Sequence, residues 1–488
     1  MEKWIKDKNF ILFFQKKIKG GIFMEFSIEV LFLDIMKAAI LIFIGHLLRS
    51  KVKFLQNLYI PSSLIAGFLG LALGPYGVDV LHFSSHMGSY TSAFMVIVFS
   101  AIAYGSFSVV KSEKRLGELK ESKGESLKRI LALYIYRSIA SILVYIVPIG
   151  VGVYIIDKFI MELPEGFTIL VGGGFVGGHG TNAAFGSAVT EATGWTGATD
   201  VGMTFATIGV LVGLIGGIIL IKNATNNKYT YFVNKFDALP EQFKTGWMPE
   251  NKEPEMGKEM VSSIALDPLA WSFLMIIIPV GLAYSTIGYV RVYLSTMPTY
   301  LWAFLIAVVM TQLLKYSGIG KHVDKHSISR ISGSATDFLV FFGVAGIKLE
   351  IVMQFAMPII VLSALALGSL ILCMYVIGPR LNNKYWFERC IFVYGYCTGV
   401  YAIGLTLLRI CDPSGKSKTL EDAAVTSPID FVEYYTLLLG PILLSTGRVN
   451  TFMSVMGITL IVCFVVAFVL KLWNPPHKER TTDAELEV

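Results

Sequence analysis

The residues of this sequence best placed to do chemistry lie in a glycine-rich stretch, residues 171–187, which reads VGGGFVGGHGTNAAFGS. Within it, His179, Thr181 and Asn182 supply an imidazole, a hydroxyl and a carboxamide. The stretch contains seven glycines, and a glycine inside a helix costs about 1 kcal/mol relative to alanine. It therefore predicts a broken helix whose backbone can approach a ligand closely.

A break within this stretch, which contains the candidate site residues Gly178 and Gly180, would leave backbone amides free at the start of a new helix, where the helix dipole attracts a carboxylate. Hydroxyl and carbonyl oxygens suit sodium, so Thr181 and Asn182 are candidate ligands of that ion. Two roles stay open for His179, which either orients the site through hydrogen bonds or carries a proton. The plain alternative for the whole stretch is close helix packing through small residues.

A second glycine-containing segment, residues 392–406, reads FVYGYCTGVYAIGLT. Its glycines predict another break, and Gly399 would let the backbone turn there. Tyr396, Thr398 and Tyr401 carry hydroxyl groups that could contact a solute, and Thr398 could also ligate sodium. Tyrosines in membrane helices more often serve packing, so both interpretations of the tyrosines stay open.

Few ionisable side chains interrupt the apolar stretches, and each is costly there unless it is paired or functional. Asp34 and Lys37 are spaced three residues apart and can neutralise each other on one helix face. Arg137 is either the counter-charge of an anionic solute or a residue near a helix end whose charge reaches water. Asp200 and Asp430 stand at matching places, in ATD and SPID, where each could ligate sodium or cap a helix.

The elements that position these residues belong to a membrane protein. Of 488 residues, 54% are hydrophobic and only 16% are charged, and the mean hydropathy is +0.63, which excludes an ordinary soluble globule. The net charge of +6 sits in gaps between apolar runs, which argues against a nucleic-acid partner. The five cysteines form no CxxC pair, so neither a zinc site nor a disulfide framework is predicted.

Apolar runs that could cross a bilayer as helices fall into two sets of five. The first set covers residues 30–48, 59–78, 91–110, 130–156 and 200–221, and the second covers 268–289, 299–314, 334–349, 355–378 and 430–446. A further run, 451–471, either extends the last helix across a bend at Gly447 or forms a separate span.

A glycine segment precedes the fifth run of each set, an arrangement typical of transporters built from inverted repeats. We therefore predict an all-α polytopic membrane protein with two inverted repeats of about five transmembrane helices, each carrying a glycine-rich re-entrant segment. The predicted domains are a basic N-terminal extension (1–23), a first membrane repeat (24–221), a cytoplasmic linker (222–265), a second membrane repeat (266–471) and a polar tail (472–488).

The distribution of basic residues predicts the orientation of the helices. Residues 111–129 contain seven lysines and arginines, whereas residues 74–91 contain none. The first loop is therefore expected in the cytoplasm and the second outside. The same count places the linker inside and the lysines before Met24 outside, so we expect the membrane domain to begin near Met24.

With these residues in view, the sequence resembles the bacterial sodium:glutamate symporter family. The likeness is densest at residues 177–209, GGHGTNAAFGSAVTEATGWTGATDVGMTFATIG, in which GGHGT resembles the family's first re-entrant motif. The resemblance implies sodium-coupled uptake of glutamate, with Na+ as the coupling ion. It also implies a homodimer in the bacterial cytoplasmic (inner) membrane and an elevator-like movement of the part that carries both glycine segments.

The sequence departs from the family's pattern at several candidate positions. Asn182 stands where the family usually has glycine, and Tyr396, Thr398 and Tyr401 stand where it has a histidine and more glycine. A sodium- or proton-coupled transporter of another amino acid or a small carboxylate is therefore the alternative. An intramembrane enzyme is not predicted, because DDxxD, HExxH and GxSxG motifs are missing from the sequence. An ion channel is disfavoured, because two opposed broken segments suit alternating access.

Overall fold

The computed structural model describes residues 27–57, 60–106, 123–232, 247, 257, 259–294, 297–382, 384–399, 401–412, 415–426 and 429–475. Within these ranges the protein is helical and contains no β-strand, as the sequence predicts. The predicted basic extension 1–23, most of the basic loop 111–129, much of the linker 222–265 and the end of the polar tail lie outside the described residues.

Helices of eight or more residues in these ranges are numbered in chain order. They are α1 (Ile28–Lys51), α2 (Ser62–Leu73), α3 (Met87–Ser106), α4 (Lys123–Val151), α5 (Ile169–Thr193), α6 (Ala198–Asn226), α7 (Pro268–Tyr293), α8 (Thr299–Tyr316), α9 (Lys325–Ala345), α10 (Ala356–Val376), α11 (Trp386–Tyr396), α12 (Tyr401–Cys411), α13 (Thr419–Thr426), α14 (Phe431–Ser445) and α15 (Val449–Val469). Shorter helices are Lys53–Asn57, Gly152–Ile156, Asp157–Phe159, Ile319–His322, Leu349–Gln354 and Gly378–Leu381.

Seven helices of the described ranges are long and apolar enough to cross a bilayer. They are α3, α4 with its continuation to Phe159, α6, α7, α8, α10 with its continuation to Leu381, and α15. These spans confirm the prediction of a multi-pass, all-helical membrane protein.

Two predicted spans are shorter in the structure than in the sequence-based prediction. The run 59–78 contains only α2, a helix of 12 residues, because it is bounded by Pro61 and by Gly74 and Pro75, which do not continue a helix. The run 430–446 contains α14, a helix of 15 residues. A helix of 12 residues rises about 18 Å, well short of the ~30 Å hydrocarbon core.

Gly447 separates α14 from α15. Its φ of +70° lies in the left-handed region that glycine adopts without strain. The amide of Arg448 donates to Leu443 O at 2.8 Å and closes the end of α14. The run 451–471 is therefore a separate helix of 21 residues, not an extension of the preceding one.

The helices pack in two groups. The first helix group comprises α1–α3 and α7–α9, in which α3 contacts α7, α8 and α9, and α2 contacts α1 and α9. The second helix group comprises α4–α6 and α10–α15, in which α4 contacts α5, α10, α13 and α15, and α6 contacts α5, α11 and α12. Contacts between the groups run mainly from α3 and α9 to α5 and α6. Both glycine segments therefore belong to the second helix group.

The centre of the first helix group is an aromatic contact between the third runs of the two sets. The ring of Phe94 on α3 stacks on Phe338 of α9, with centroids 5.5 Å apart, and also lies 6.2 Å from the ring of Phe342. Stacking of this kind adds about 0.5–1.5 kcal/mol beyond area burial. The third runs of the two sets thus pack against each other.

The predicted Asp34–Lys37 pair is confirmed. Lys37 Nζ lies 3.1 Å from Asp34 Oδ1. Asp34 is buried and also accepts hydrogen bonds from the backbone amide of Ser84 at 3.2 Å and from Tyr90 OH at 3.3 Å. The carboxylate therefore ties the loop that precedes α3 to α1.

Replacing Asp34 with alanine is expected to destabilise the protein by about 3 kcal/mol, because it removes the charged partner of Lys37, which keeps only the carbonyl of His82, and leaves buried donors without an acceptor. Asp79→Ala is the matched control, because Asp79 forms a comparable pair with His82 that is exposed to solvent. Thermal melting in detergent measures both changes. Equal melting temperatures for the two variants would contradict this account of Asp34.

Candidate functional site

Helix α5 breaks at Gly178, as the glycine content predicts. Gly178 has φ +66° and ψ −157°, a backbone region that is essentially confined to glycine. At Gly177 an added Cβ would lie 2.1 Å from Thr181 Oγ1, so this glycine lets Thr181 pack against the backbone beside the break. At Gly180 an added Cβ would meet nothing within 4 Å, so the break is open on that side.

His179 is buried and joins the break to α6. Its Nε2 lies 3.0 Å from Thr207 Oγ1, and that hydroxyl donates its proton to Met203 O at 2.8 Å. Since the hydroxyl proton is already used, we assign the proton on Nε2 as the donor to Thr207. Of the two roles predicted for His179, this geometry favours orientation of the site through hydrogen bonds.

Asn182 is fully buried and fastens the second half of α5 to its surroundings. Its Nδ2 donates to Leu170 O at 2.7 Å and to Gly202 O at 2.6 Å. Its Oδ1 is buried without a hydrogen-bond partner in the part of the chain that the structure describes. A carboxamide oxygen left unpaired in a protein interior is costly unless a ligand or water satisfies it.

The second glycine segment is also interrupted, as predicted. Helix α11 ends at Tyr396 and α12 begins at Tyr401, with a turn at residues 397–399 between them. Thr398 Oγ1 donates to Tyr394 O at 2.8 Å, which closes the end of α11. At Gly399 an added Cβ would lie 2.1 Å from Ile403 Cδ1, so a side chain there would displace the end of the Ile403 side chain.

Glycines of α6 bring the two broken segments together. An added Cβ at Gly209 would lie 2.7 Å from Thr398 O and 3.2 Å from Gly174 O, so carbonyls of both segments approach the same point of α6. At Gly213 an added Cβ would lie 2.5 Å from Thr398 Oγ1. The close contact of α6 with both breaks therefore requires small residues on α6.

Arg137 lies in a buried ion pair instead of at a helix end. It is fully buried, and its guanidinium lies 2.5 Å from Asp430 Oδ2 and 5.2 Å from the centre of the Tyr396 ring. The predicted alternative that its charge reaches water is therefore wrong, because a carboxylate from α14 reaches it in the interior. Asp430 also caps α14 by accepting from the amides of Val432 and Glu433, which confirms the predicted cap.

Two tyrosines of the second segment make different contacts. Tyr396 OH donates to Glu433 Oε2 at 2.8 Å, which links α11 to α14. Tyr401 packs edge-on against Phe392 at 5.3 Å, a packing contact. Glu433 is not among the residues that the sequence predicts for the site. Its position three residues after the Asp430 cap indicates that it lies in the first turn of the same helix.

Asp200 does not cap α6. The N-cap position is Gly197, and Asp200 lies in the first turn, so the predicted capping role is wrong. One carboxylate oxygen accepts the backbone amide of Lys348 at 3.1 Å, where the chain leaves α9 and starts the short helix Leu349–Gln354. Asp200 therefore connects α6 to the first helix group.

A cavity of about 490 Å³ opens beside Asp200, and sequence reasoning did not find it. Its walls come from α3, α7 and α9 of the first helix group and from α5 and α6 of the second. Of the predicted site residues, only Asp200 lines it. No periodicity in one helix could have revealed it, because its walls belong to helices far apart in sequence.

Comparison with known proteins shows similarity to one family. The model of a family described as sodium/glutamate symporter matches residues 28–407. Over 242 residues the chain is 24% identical to proteins named sodium/glutamate symporter from Escherichia coli (strain K12) and Shigella flexneri. The aligned part is 48% of this chain and 55% of each relative, so the chain spans about half the length of the curated relatives it matches. No solved structure matches the chain.

The Arg137–Asp430 pair is expected to behave as a structural unit. Arg137→Met should destabilise the protein by about 3–5 kcal/mol, because it leaves a buried carboxylate without its partner. Arg137→Met combined with Asp430→Asn should recover most of that loss, because both charges are removed and asparagine still caps α14. Thermal melting of the two variants in detergent provides the comparison. A double variant no more stable than the single one would refute the pairing.

Proposed function

The chain belongs to the sodium/glutamate symporter family, and we propose that it imports glutamate or a related anionic amino acid together with sodium. The family makes the protein a membrane transporter, not an enzyme. The observation that carries the proposal is the break of α5 at Gly178, inside the matched region and in the same helix as Asn182, whose buried side-chain oxygen has no described partner.

We propose that the solute's carboxylate meets the backbone amides of the helix that starts after the break. This helix begins with the open position Gly180, and its dipole favours a negative charge. His179 and Asn182 position the break, and Thr181 adds a hydroxyl. The second segment contributes Thr398, since its carbonyl approaches the same helix, α6. Gly399, Tyr396 and Tyr401 complete the proposed contact surface.

The oxygen atoms around the break fit a sodium ion. Asn182 Oδ1 has no described partner, and Thr181 and Thr398 offer further oxygens that suit a hard cation. Asp200, the other acid predicted to ligate sodium, is left out of this ion site, because it lines the cavity between the two helix groups. Asp430 fits sodium less well than predicted, since Arg137 and the α14 cap already occupy its oxygens. Arg137 likewise fits an anionic solute less well, because Asp430 balances its charge.

Two inverted repeats are part of the proposal, and the packing of the helices supports them. Helix α2 contacts α9 as α8 contacts α3, and α5 contacts α14 as α12 contacts α6. The third helices of the two sets, α3 and α9, contact each other, as do the fourth, α4 and α10. Exchanging the two sets thus reproduces these contacts, as expected for an inverted repeat. Within the described ranges, the close contact of α5 with α6 has no comparable counterpart between α12 and α14.

We further propose that transport is an elevator-like movement of the second helix group against the first. Polar contacts between the groups include Arg291–Glu191, at 2.5 Å, and the amide of Lys348 on Asp200. These contacts would have to break and reform when the groups move. A homodimer in the bacterial cytoplasmic membrane belongs to the same proposal, as the resemblance to the family implies.

Gly178→Ala is expected to reduce uptake to below about one tenth of wild type, because a side chain costs about 1–3 kcal/mol in this backbone conformation and closes the break. Gly368→Ala on α10 is the control, since an added Cβ there meets nothing within 4 Å. Thr181→Ala should also abolish uptake, whereas Thr181→Ser, which keeps the hydroxyl, should retain it. Uptake by the purified variants in proteoliposomes measures these effects. Normal uptake by the Gly178→Ala variant would refute the proposed site.

The solute is identified by uptake measurements with labelled compounds, each tested with and without an inward sodium gradient. The compounds are glutamate, aspartate, neutral amino acids and dicarboxylates. We expect saturable uptake of an anionic amino acid that disappears when sodium is replaced by choline. Uptake driven by a proton gradient alone would refute sodium coupling. Unsaturable ion current would refute the transporter mechanism itself.

A further inference from the structure

The cavity beside Asp200 has the size of a small-molecule site and lies between the two helix groups. Its volume of about 490 Å³ falls within the roughly 300–1,000 Å³ that is usual for such sites. Tyr76 and Ser85, which also line it, belong to the segment that lacks basic residues and is predicted to lie outside the cell. We call this cavity the outer chamber.

The walls of the outer chamber are rich in hydrogen-bond acceptors. Thr91 Oγ1 donates to Met87 O at 3.2 Å, Ser92 Oγ to Gly88 O at 3.3 Å, and Thr190 Oγ1 to Trp195 O at 2.9 Å. Each hydroxyl proton is thus used within the protein, and the oxygen keeps lone pairs for a ligand. The walls suit a ligand that donates hydrogen bonds.

Asp200 supplies a negative charge at the inner wall of the chamber. The residue is 8% exposed, and one oxygen accepts the amide of Lys348. Within the described ranges its carboxylate forms no close ion pair and no further hydrogen bond. Lys348 also lines the chamber, and its charge attracts the carboxylate only from beyond ion-pair distance. Glu191, the other acid of the chamber, is already paired with Arg291 at 2.5 Å. A buried carboxylate without a cation is costly, and a bound cationic group would remove that cost.

We propose that the outer chamber receives the ammonium group of an amino acid, with Asp200 as its charged acceptor and the hydroxyl oxygens as further acceptors. This inference rests on the proposed function and deepens it. The chamber would select amino acids over dicarboxylates of the same length before the solute reaches the break at Gly178. A chamber of this volume accommodates an organic solute, whereas a sodium ion alone would leave it largely empty.

The test uses a cysteine placed in the chamber wall. Ser187→Cys on α5 lines the chamber, and the five native cysteines are buried, so background modification is low. In right-side-out vesicles without sodium, a membrane-impermeant cationic thiol reagent should modify this cysteine from outside. Glutamate at about ten times its Kd should slow the modification roughly tenfold, because the occupied chamber protects the cysteine. Glutarate, which has the same two carboxylates but no ammonium, should not. Ser363→Cys, buried in α10, is the unreactive control.

Asp200 is tested in the same background. Asp200→Asn should abolish protection by glutamate while the cysteine remains reactive, and Asp200→Glu should restore it. Equal protection by glutarate, protection that survives Asp200→Asn, or no reaction from outside would each overturn the proposal. Protection that appears only with sodium, combined with a shifted sodium dependence in Asp200→Asn, would make Asp200 a ligand of the ion and also overturn it.

Uptake measured in the same vesicles separates this proposal from the proposed function. Sodium-dependent glutamate uptake by the Ser187→Cys protein without ammonium-specific protection would leave the symporter intact and reject the chamber. Absence of glutamate uptake by the unmodified protein would instead reject the proposed function.

Discussion

Every backbone polar group inside a bilayer must be satisfied by the protein, by water or by a ligand, and this constraint governs the molecule. Both glycine segments break their helices, at Gly178 and at residues 397–399. The breaks are tolerable because α6 lies directly against them, with glycines where carbonyls of both segments approach. Helix α6 is in this sense the common support of the candidate site, and side chains at Gly209 or Gly213 would push the two segments away from it.

Buried charges must also be compensated by the protein, by water or by a ligand. A charge that is paired within the fold indicates a structural role, and one that is unpaired indicates a functional role. Asp34 and Arg137 each find a partner and further polar contacts, so their charges are accounted for within the fold. Asp200 differs, since its carboxylate has an amide on one side and the outer chamber on the other. Asn182 differs in the same way through its unpaired oxygen. These two residues, not the arginine, carry an oxygen for which the described structure shows no hydrogen-bond partner.

Sequence predicted the features that depend on neighbouring residues. The break at Gly178, the pairing of Asp34 with Lys37 and the Asp430 cap all follow from local spacing. It did not predict the partner of Arg137 or the outer chamber, because these join helices far apart in the chain. The short length of α2 does not follow from hydropathy, because the apolar run continues across Pro61 and Pro75, which bound the helix. The capping role of Asp200 was wrong because Gly197 begins α6 earlier than the acid suggests.

The central claim is that the helix group carrying both breaks moves against the other when solute and sodium bind. Its most direct test is the distance between spin labels at Thr196, between α5 and α6, and Tyr289 on α7, diluted with unlabelled protein. The account predicts that sodium with solute shifts this distance distribution, while a control pair within the first helix group, Val80 and Tyr289, stays unchanged. An identical Thr196–Tyr289 distribution in all conditions, in protein that still transports, would contradict it.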